Sequence, residues 1–261
     1  MIIQNKKAQM AAFVITGIIL VAMIAAFFLI KKGSSLETGE RSETNMKSFF
    51  ESCLEDKLKQ TVKIIIDQGG YLNNSLNISF RFEDNEKLKN ISYLCYTSKE
   101  FISCTNQEPM LLSHLEKEIE RGINEKVREC FDESVKVLQK KEEIVEAKYE
   151  GFEVKIFPKK IMVNVEGEIK STKSEQTIIQ NNITGNFQSR LYETTRVVQE
   201  IINNEASHCN FDLLEFMMFY PEFKIEKKLT RNSTAIYTVK HKKDIESFNF
   251  AIRSCSFPAG F

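Results

Sequence analysis

The chain has 261 residues, of which 42% are hydrophobic and 10% aromatic, and its 36 basic residues balance 36 acidic ones. This length and composition suit one packed domain plus an additional segment, and they exclude a chain that is disordered throughout. A nucleic-acid-binding protein requires a concentrated basic surface, and neither the net charge nor any run of lysine and arginine supplies one.

The first predicted element is a membrane-spanning helix from Met10 to Ile30. These 21 residues carry no charge, and about 20 apolar residues are needed to cross the hydrocarbon core of a bilayer. A cleaved secretory signal is the alternative, but Lys31 and Lys32 occupy the place where small residues should precede a cut. We therefore expect a single-pass protein of the cytoplasmic membrane that contacts the lipid bilayer through residues 10–30.

The orientation of the chain is predicted from features downstream of this helix, because two lysines flank each of its ends and the positive-inside rule needs an asymmetry. The remainder contains six cysteines, an even number, and five Asn-x-Ser/Thr sequons. Both features are typical of exported domains. The candidate glycosylation sites are Asn73, Asn77, Asn90, Asn182 and Asn232. We expect residues 1–9 to form a cytoplasmic tail, residues 31–45 a polar tether and residues 46–261 an extracytoplasmic domain.

The residues just before the apolar segment form a processing motif. Lys6-Lys7-Ala8-Gln9 is followed at once by the apolar helix. This arrangement resembles the class III signal peptide of archaeal type IV pilin-like proteins. The resemblance implies that a prepilin-type peptidase cuts between Ala8 and Gln9. Pilins usually carry a glutamate early in the mature helix, and Phe13 occupies the corresponding position here.

Two further segments extend this resemblance beyond the N-terminus. They are Glu51-Ser52-Cys53-Leu54-Glu55 and Gln68-Gly69-Gly70-Tyr71. Together with the opening residues they resemble a group of archaeal single-pass membrane proteins that have no assigned activity. The resemblance implies a location in the envelope and does not imply a reaction.

The first half of the predicted domain contains two amphipathic helices. Apolar residues at helical spacing predict a helix from Met46 to Gln68, with Gly69 as a left-handed C-cap. Short strands and loops are expected from Tyr71 to Pro109. Ser113 and Glu116 have the spacing of a capping box, and an apolar stripe follows as far as Leu138. The Lys- and Glu-rich positions between are expected to form a solvated face.

The second half of the domain is predicted to be mostly strand. Alternating apolar residues predict a hairpin over residues 152–169, with an extension over residues 176–181. Helical spacing returns from Phe187 to Ile202, and a short helix is expected from Asn210 to Tyr220. Three alternating segments then close the chain, at residues 223–229, 234–240 and 248–255. This order predicts an α+β fold with an antiparallel sheet, and two subdomains meeting near residue 148 are an alternative arrangement.

Six cysteines admit 15 disulfide pairings, and spacing alone does not choose among them. The local pattern favours three pairs. Cys95 and Cys104 flank a segment that can fold back as a hairpin, Cys53 and Cys130 lie on the apolar stripes of predicted helices, and Cys209 and Cys255 bracket the C-terminal segment. Buried free thiols are the alternative.

The sequence contains no pattern of residues typical of catalysis. Its three histidines are His114, His208 and His241, and none lies in a nucleophile motif such as G-x-S-x-G. Phosphate- and dinucleotide-binding glycine patterns are missing, and no two cysteines have the spacing of a zinc site. We therefore expect no catalytic residue, metal or cofactor.

Three functions are compatible with these features. The first is a membrane-anchored structural or interaction module of the envelope that contacts other envelope proteins. The alternatives are a type IV pilin-like subunit and an envelope enzyme with an unrecognised site. The apolar segment Phe216–Tyr220 has no polar helical face, which favours a place in the core over a docking surface.

Overall fold

A computed structural model describes residues 17–24, 37–83, 87–140, 144–173, 176–230, 232–244 and 246–257. The chain divides into two units, Met1–Thr44 and Asn45–Phe261. In the first unit residues 17–24 form helix α1, whose side chains are exposed. The tail 1–9, the rest of the predicted span 10–30 and residues 31–36 lie outside the described residues. Within the described parts of the chain, no helix is both long and apolar enough to cross a membrane.

The described residues from Glu37 onward form helices and two sheets. Helices α2 to α5 are Glu37–Asp67, Leu111–Gln139, Leu191–His208 and Leu213–Phe219. Strands β1 to β9 are Asn77–Phe80, Lys89–Tyr96, Thr105–Asn106, Ile144–Phe157, Lys160–Lys173, Gln176–Gln188, Phe223–Leu229, Ala235–His241 and Phe248–Arg253. This is the α+β class expected from the sequence.

The two sheets differ in topology. Strands β4, β5 and β6 form a three-stranded antiparallel meander in chain order. The other sheet has the order β1-β2-β9-β8-β7, with the short strand β3 also paired to β2. Its pairs are antiparallel except that β2 and β9 run parallel. The prediction of antiparallel sheets is therefore correct apart from this one central pair, which joins strands from the two ends of the domain.

Helices α2 and α3 run antiparallel and pack closely together. Cys53 lies opposite Cys130, and Thr61 lies opposite Gly122. The predicted apolar stripe of α3 is buried, at Leu111, Leu115, Ile119, Ile123, Val127, Cys130, Phe131, Val135 and Leu138. Helix α2 ends as predicted, because Gly69 has a φ of 78° and Gly70 N donates to Ile65 O over 2.8 Å. The larger of two hydrophobic clusters connects these helices with both sheets, and the smaller one contains Ile91, Tyr93, Ile236 and Ala251.

The larger unit begins at Asn45, next to the predicted start of the domain at Met46, whereas the predicted tether and the alternative subdomain boundary differ from the structure. Residues 37–45, which were expected to belong to a flexible tether, are helical, because α2 begins at Glu37. A helix that is nucleated by packing extends at little cost, since each added residue gains a hydrogen bond. A boundary near residue 148 is not observed. Lys148 lies inside β4 and pairs with Glu168, and the core contains residues from both sides of this position.

Two local predictions were also wrong. The capping box at Ser113 is not formed, because the described N-cap of α3 makes no side-chain hydrogen bond and Glu116 accepts from Ile156 N over 3.0 Å instead. Phe187 was expected at the start of a helix, yet it pairs with Ile161 near the end of β6. In both cases a contact with β4 or β5 outweighs the local pattern, which is a tertiary effect.

Candidate functional site

The structure joins the six cysteines in the three pairs that the sequence favoured. The Cα–Cα distance is 5.7 Å for Cys53–Cys130, 5.4 Å for Cys95–Cys104 and 5.8 Å for Cys209–Cys255. No cysteine among the described residues is free. The first disulfide joins α2 to α3, and the third joins the end of α4 to the segment after β9. Three disulfides are typical of proteins that fold in an oxidising compartment.

The candidate glycosylation sites lie on the surface of the domain. Asn73, Asn90, Asn182 and Asn232 are exposed, and Asn77 is half-buried with its amide directed at Asn74 O. Two of the sequons lie on the paired strands β1 and β2. The asparagine of each sequon is opposite the serine of the other sequon, since Asn77 pairs with Ser92 and Asn90 pairs with Ser79. The predicted processing site, Ala8 and Gln9, lies outside the described residues.

Two of the three histidines, His114 and His241, make hydrogen bonds within the domain. His114 Nε2 lies 2.9 Å from Gly70 O, and His208 lies in the last turn of α4, where a cation is favourable. His241 is the last residue of β8 and is buried, with its Nδ1 accepting from Lys243 N. The described residues also contain no group of acidic, histidine or cysteine side chains that could hold a metal.

A groove of about 640 Å³ lies between α2, the end of β6 and the start of α4. Its floor is apolar, and its rim is charged. The rim charges bind one another: Lys59 Nζ lies 2.6 Å from Glu55 Oε1, and Arg190 Nε lies 3.7 Å from Asp244 Oδ1. Partial burial and nearby carboxylates raise the pKa of Glu246. The described lining contains no histidine or cysteine, and its hydroxyl groups are those of Ser189 and Thr194.

A different kind of site is built on helix α5. The helix is short, and its two ends are fixed by hydrogen bonds. Asp212 caps the N-terminus, because its Oδ1 accepts from Leu214 N and Glu215 N over 3.0 and 2.9 Å. One side of the helix packs on the domain, where buried Phe216 stacks on Tyr220 with ring centroids 4.6 Å apart. Phe216 belongs to the main core and Ile225 N of β7 donates to Met217 Sδ over 3.3 Å, and these two contacts hold α5 against the domain.

The other side of α5 is apolar and exposed. Leu214 is 73% exposed, Met218 81% and Phe219 73%. We refer to these three residues as the α5 patch. Large apolar side chains exposed together on one surface are typical of protein interaction sites. The sequence pattern favoured burial of this segment, and only Phe216 follows that expectation.

Three acidic residues lie close to the α5 patch along the chain, and Lys242 lies beside the last of them, because its backbone N donates to Glu222 O over 2.8 Å. Asp212, Glu215 and Glu222 are exposed, and there is no lysine or arginine between Cys209 and Lys224. The site therefore combines apolar contact area with an acidic rim. Comparison of the chain with protein-family models, with curated proteins and with solved structures gave no match.

Proposed function

We propose that this protein is a membrane-anchored, extracytoplasmic interaction module that binds another envelope protein through the α5 patch. The observation that carries the proposal is the exposure of Leu214, Met218 and Phe219 on a helix whose opposite side packs on the core and on β7. Binding to a surface that is already ordered costs less conformational entropy than binding to a mobile segment. The α5 patch is therefore suited to a stable contact.

The acidic rim determines what kind of partner fits. Asp212, Glu215 and Glu222 would repel the anionic headgroups of a membrane, so the proposed occupant is a protein and not the lipid surface. Its complementary surface carries apolar side chains surrounded by lysine or arginine. Charges of opposite sign at the rim of an interface accelerate association and orient the two surfaces.

The location in the envelope is supported by three features of different kinds. The apolar segment 10–30 is long enough to span a bilayer. The three disulfides suit an oxidising compartment. Four of the five sequon asparagines are exposed on the folded domain, where a glycan does not disturb the core.

Two synthetic helical peptides with the same leucine stripe provide a direct test. One peptide has lysine and the other glutamate beside the stripe, and each is titrated against the full chain in zwitterionic lipid nanodiscs. We expect the lysine peptide to bind at least about tenfold more tightly than the glutamate peptide. We also expect Met218→Ser combined with Phe219→Ser to weaken its binding at least about tenfold, because two apolar anchors are removed.

Leu229→Ser is the matched control, since Leu229 is an equally exposed leucine, at 72%, outside the α5 patch. This variant should bind the lysine peptide as the unchanged chain does, and empty nanodiscs should bind neither peptide. Glu215→Lys should reduce the preference for the lysine peptide. Equal binding of the two peptides, or full binding by the double serine variant, would refute the proposal.

A further inference from the structure

The outer strands of the two sheets are protected in different ways. An unpaired strand edge exposes backbone N–H and C=O groups that can pair with another chain, and charged side chains are a common protection. Strand β4 carries five charged residues, and β7 carries four. Strand β7 is also contacted by α5, because Ile225 N donates to Met217 Sδ over 3.3 Å. Strand β1 has only four residues.

Strand β6 lacks this protection. It is an outer strand of the three-stranded sheet, and among the described residues it pairs only with β5. Its 13 residues, Gln176–Gln188, contain no charged side chain. Near its C-terminal end, helix α2 covers the edge, where Glu51 Oε1 accepts from Asn186 N over 2.8 Å. The rest of the edge therefore differs from every other long outer strand described.

The uncovered part is the β6 segment, which we define as residues 177–181. Gln180 in it is half-buried and the other four residues are exposed, and Ile179 is 56% exposed. The β6 segment is followed by Asn182, which has a φ of 61° and lies where the register with β5 shifts. A register shift of this kind bends the strand and interrupts regular pairing. The β6 segment is thus a short, uncharged strand edge that stops at the register shift.

We propose that two copies of this protein associate by antiparallel pairing of their β6 segments. In a two-fold arrangement centred on Ile179, that residue lies opposite its own copy, and Thr177 lies opposite Asn181. Such pairing would join the two three-stranded sheets into one continuous sheet of six strands. Backbone hydrogen bonds supply the affinity in this mode of strand addition.

A second copy fits this edge better than the other available occupants. The β6 segment has no charge to attract an acidic or basic peptide, whereas an identical segment meets no charge repulsion. Pairing of β6 with β4 of another copy would produce an open fibre, and the charges of β4 oppose it. Pairing of β6 with β6 uses the same surface on both copies and therefore closes as a dimer.

A cysteine placed at the centre of the pairing tests this arrangement. The described cysteines are all in disulfides, so Ile179→Cys adds a distinct thiol. Residues opposite each other in an antiparallel pair have Cα atoms about 4.5 to 5.5 Å apart, which is within the range of a disulfide. We expect the full-length variant, in detergent and under mild oxidation, to form a reducible dimer.

Ile144→Cys is the matched control. Ile144 is 60% exposed and lies on the same face of the same sheet as Ile179, because Ile144 pairs with Thr172 and Ile179 pairs with Lys170. It should give at least about tenfold less dimer than Ile179→Cys, since it lies on the charged outer strand. Equal dimer yields from the two variants would overturn the proposal.

Two further variants separate dimerisation from partner binding and from folding. Ile178→Lys in the Ile179→Cys chain should abolish the dimer, because it places charge at the paired edge, while the thermal unfolding midpoint stays close to that of Ile179→Cys. Met218→Ser combined with Phe219→Ser should leave the dimer unchanged. Persistence of the dimer after Ile178→Lys would also overturn the proposal, whatever the outcome for the α5 patch.

Discussion

At the scale of single residues, two buried glutamates show where the sequence pattern was incomplete. The charged positions of α3 were expected to be solvated, yet Glu118 is buried and accepts from Leu72 N over 2.9 Å and from Arg121 over 2.7 Å. Glu205 in α4 is buried too, and its carboxylate accepts hydrogen bonds from the Tyr237 hydroxyl and from Lys227 Nζ. Burial and this carboxylate raise the pKa of Tyr237, so the phenol stays neutral and donates. Both glutamates stabilise the packing of their helices against the rest of the domain.

Gly122 provides a test of helix packing at this scale. Alanine usually stabilises a helix by about 1 kcal/mol relative to glycine. A Cβ at residue 122 would overlap with Thr61 Cγ2 on α2. We therefore expect Gly122→Ala to lower the free energy of unfolding by about 1 to 3 kcal/mol, as measured by denaturant titration. Thr61→Ser removes the overlapping methyl group, so the double variant should recover most of the loss. A gain in stability from Gly122→Ala alone would contradict the observed packing.

The disulfides provide a second test at the residue scale. Under denaturing, non-reducing conditions we expect no alkylatable thiol, because all six cysteines are paired. Four or more reactive thiols would rule out the three-disulfide arrangement.

The Cys53–Cys130 bond closes a loop with a sequence separation of 77 residues. Replacing both cysteines by serine should therefore cost up to about 4.5 kcal/mol, more than the loss of the Cys95–Cys104 bond at up to about 2.5 kcal/mol.

At the scale of elements, helix α3 does more than bury an apolar stripe. Its Glu116 and Glu120 are one turn apart, and they accept hydrogen bonds from Ile156 N and Val154 N of β4 over 3.0 and 2.8 Å. Among the described strands, β4 pairs only with β5, so these amides have no partner strand on that side. Side chains of the helix thus complete the hydrogen bonding of the outer strand, which explains why Glu116 does not act in a capping box.

This role of α3 predicts a specific loss of stability. Glu120→Ala leaves Val154 N without its carboxylate acceptor and should lower the free energy of unfolding by about 1 to 3 kcal/mol. Glu125→Ala is the control on the same helix, because Glu125 is exposed, and it should change stability by less than about 0.5 kcal/mol. Hydrogen exchange should show faster exchange at Val154 N in the first variant alone. Equal effects of the two substitutions would argue against this role of Glu120.

At the scale of the whole molecule, the proposed function depends on which side of the membrane the domain occupies. The cysteines and sequons all lie after residue 30. We expect protease added to intact cells or spheroplasts to digest residues 33–261 and to leave a fragment that contains the apolar segment. The control is a cytoplasmic protein that remains intact while a known surface protein is digested. Protection of residues 33–261 under these conditions would reverse the proposed orientation.

The sequence by itself determined the elements whose pattern is local. The buried stripe of α3, the C-cap at Gly69 and strand β7 follow from spacing and residue type, because a helix or strand must turn its apolar residues to one side. The local pattern favoured the three cysteine pairs without excluding the other pairings, and the structure decided the connectivity.

The tertiary structure alone decided which of these faces remain exposed. The run Phe216–Tyr220 is equally apolar on every side, so only its contact with β7 shows that Met218 faces outward. The parallel pairing of β2 with β9, and the uncovered edge of β6, likewise depend on segments far apart in the chain. The spacing of apolar residues along the sequence shows which side of a helix or strand is apolar. What covers that side, or leaves it open, is determined by contacts between distant residues.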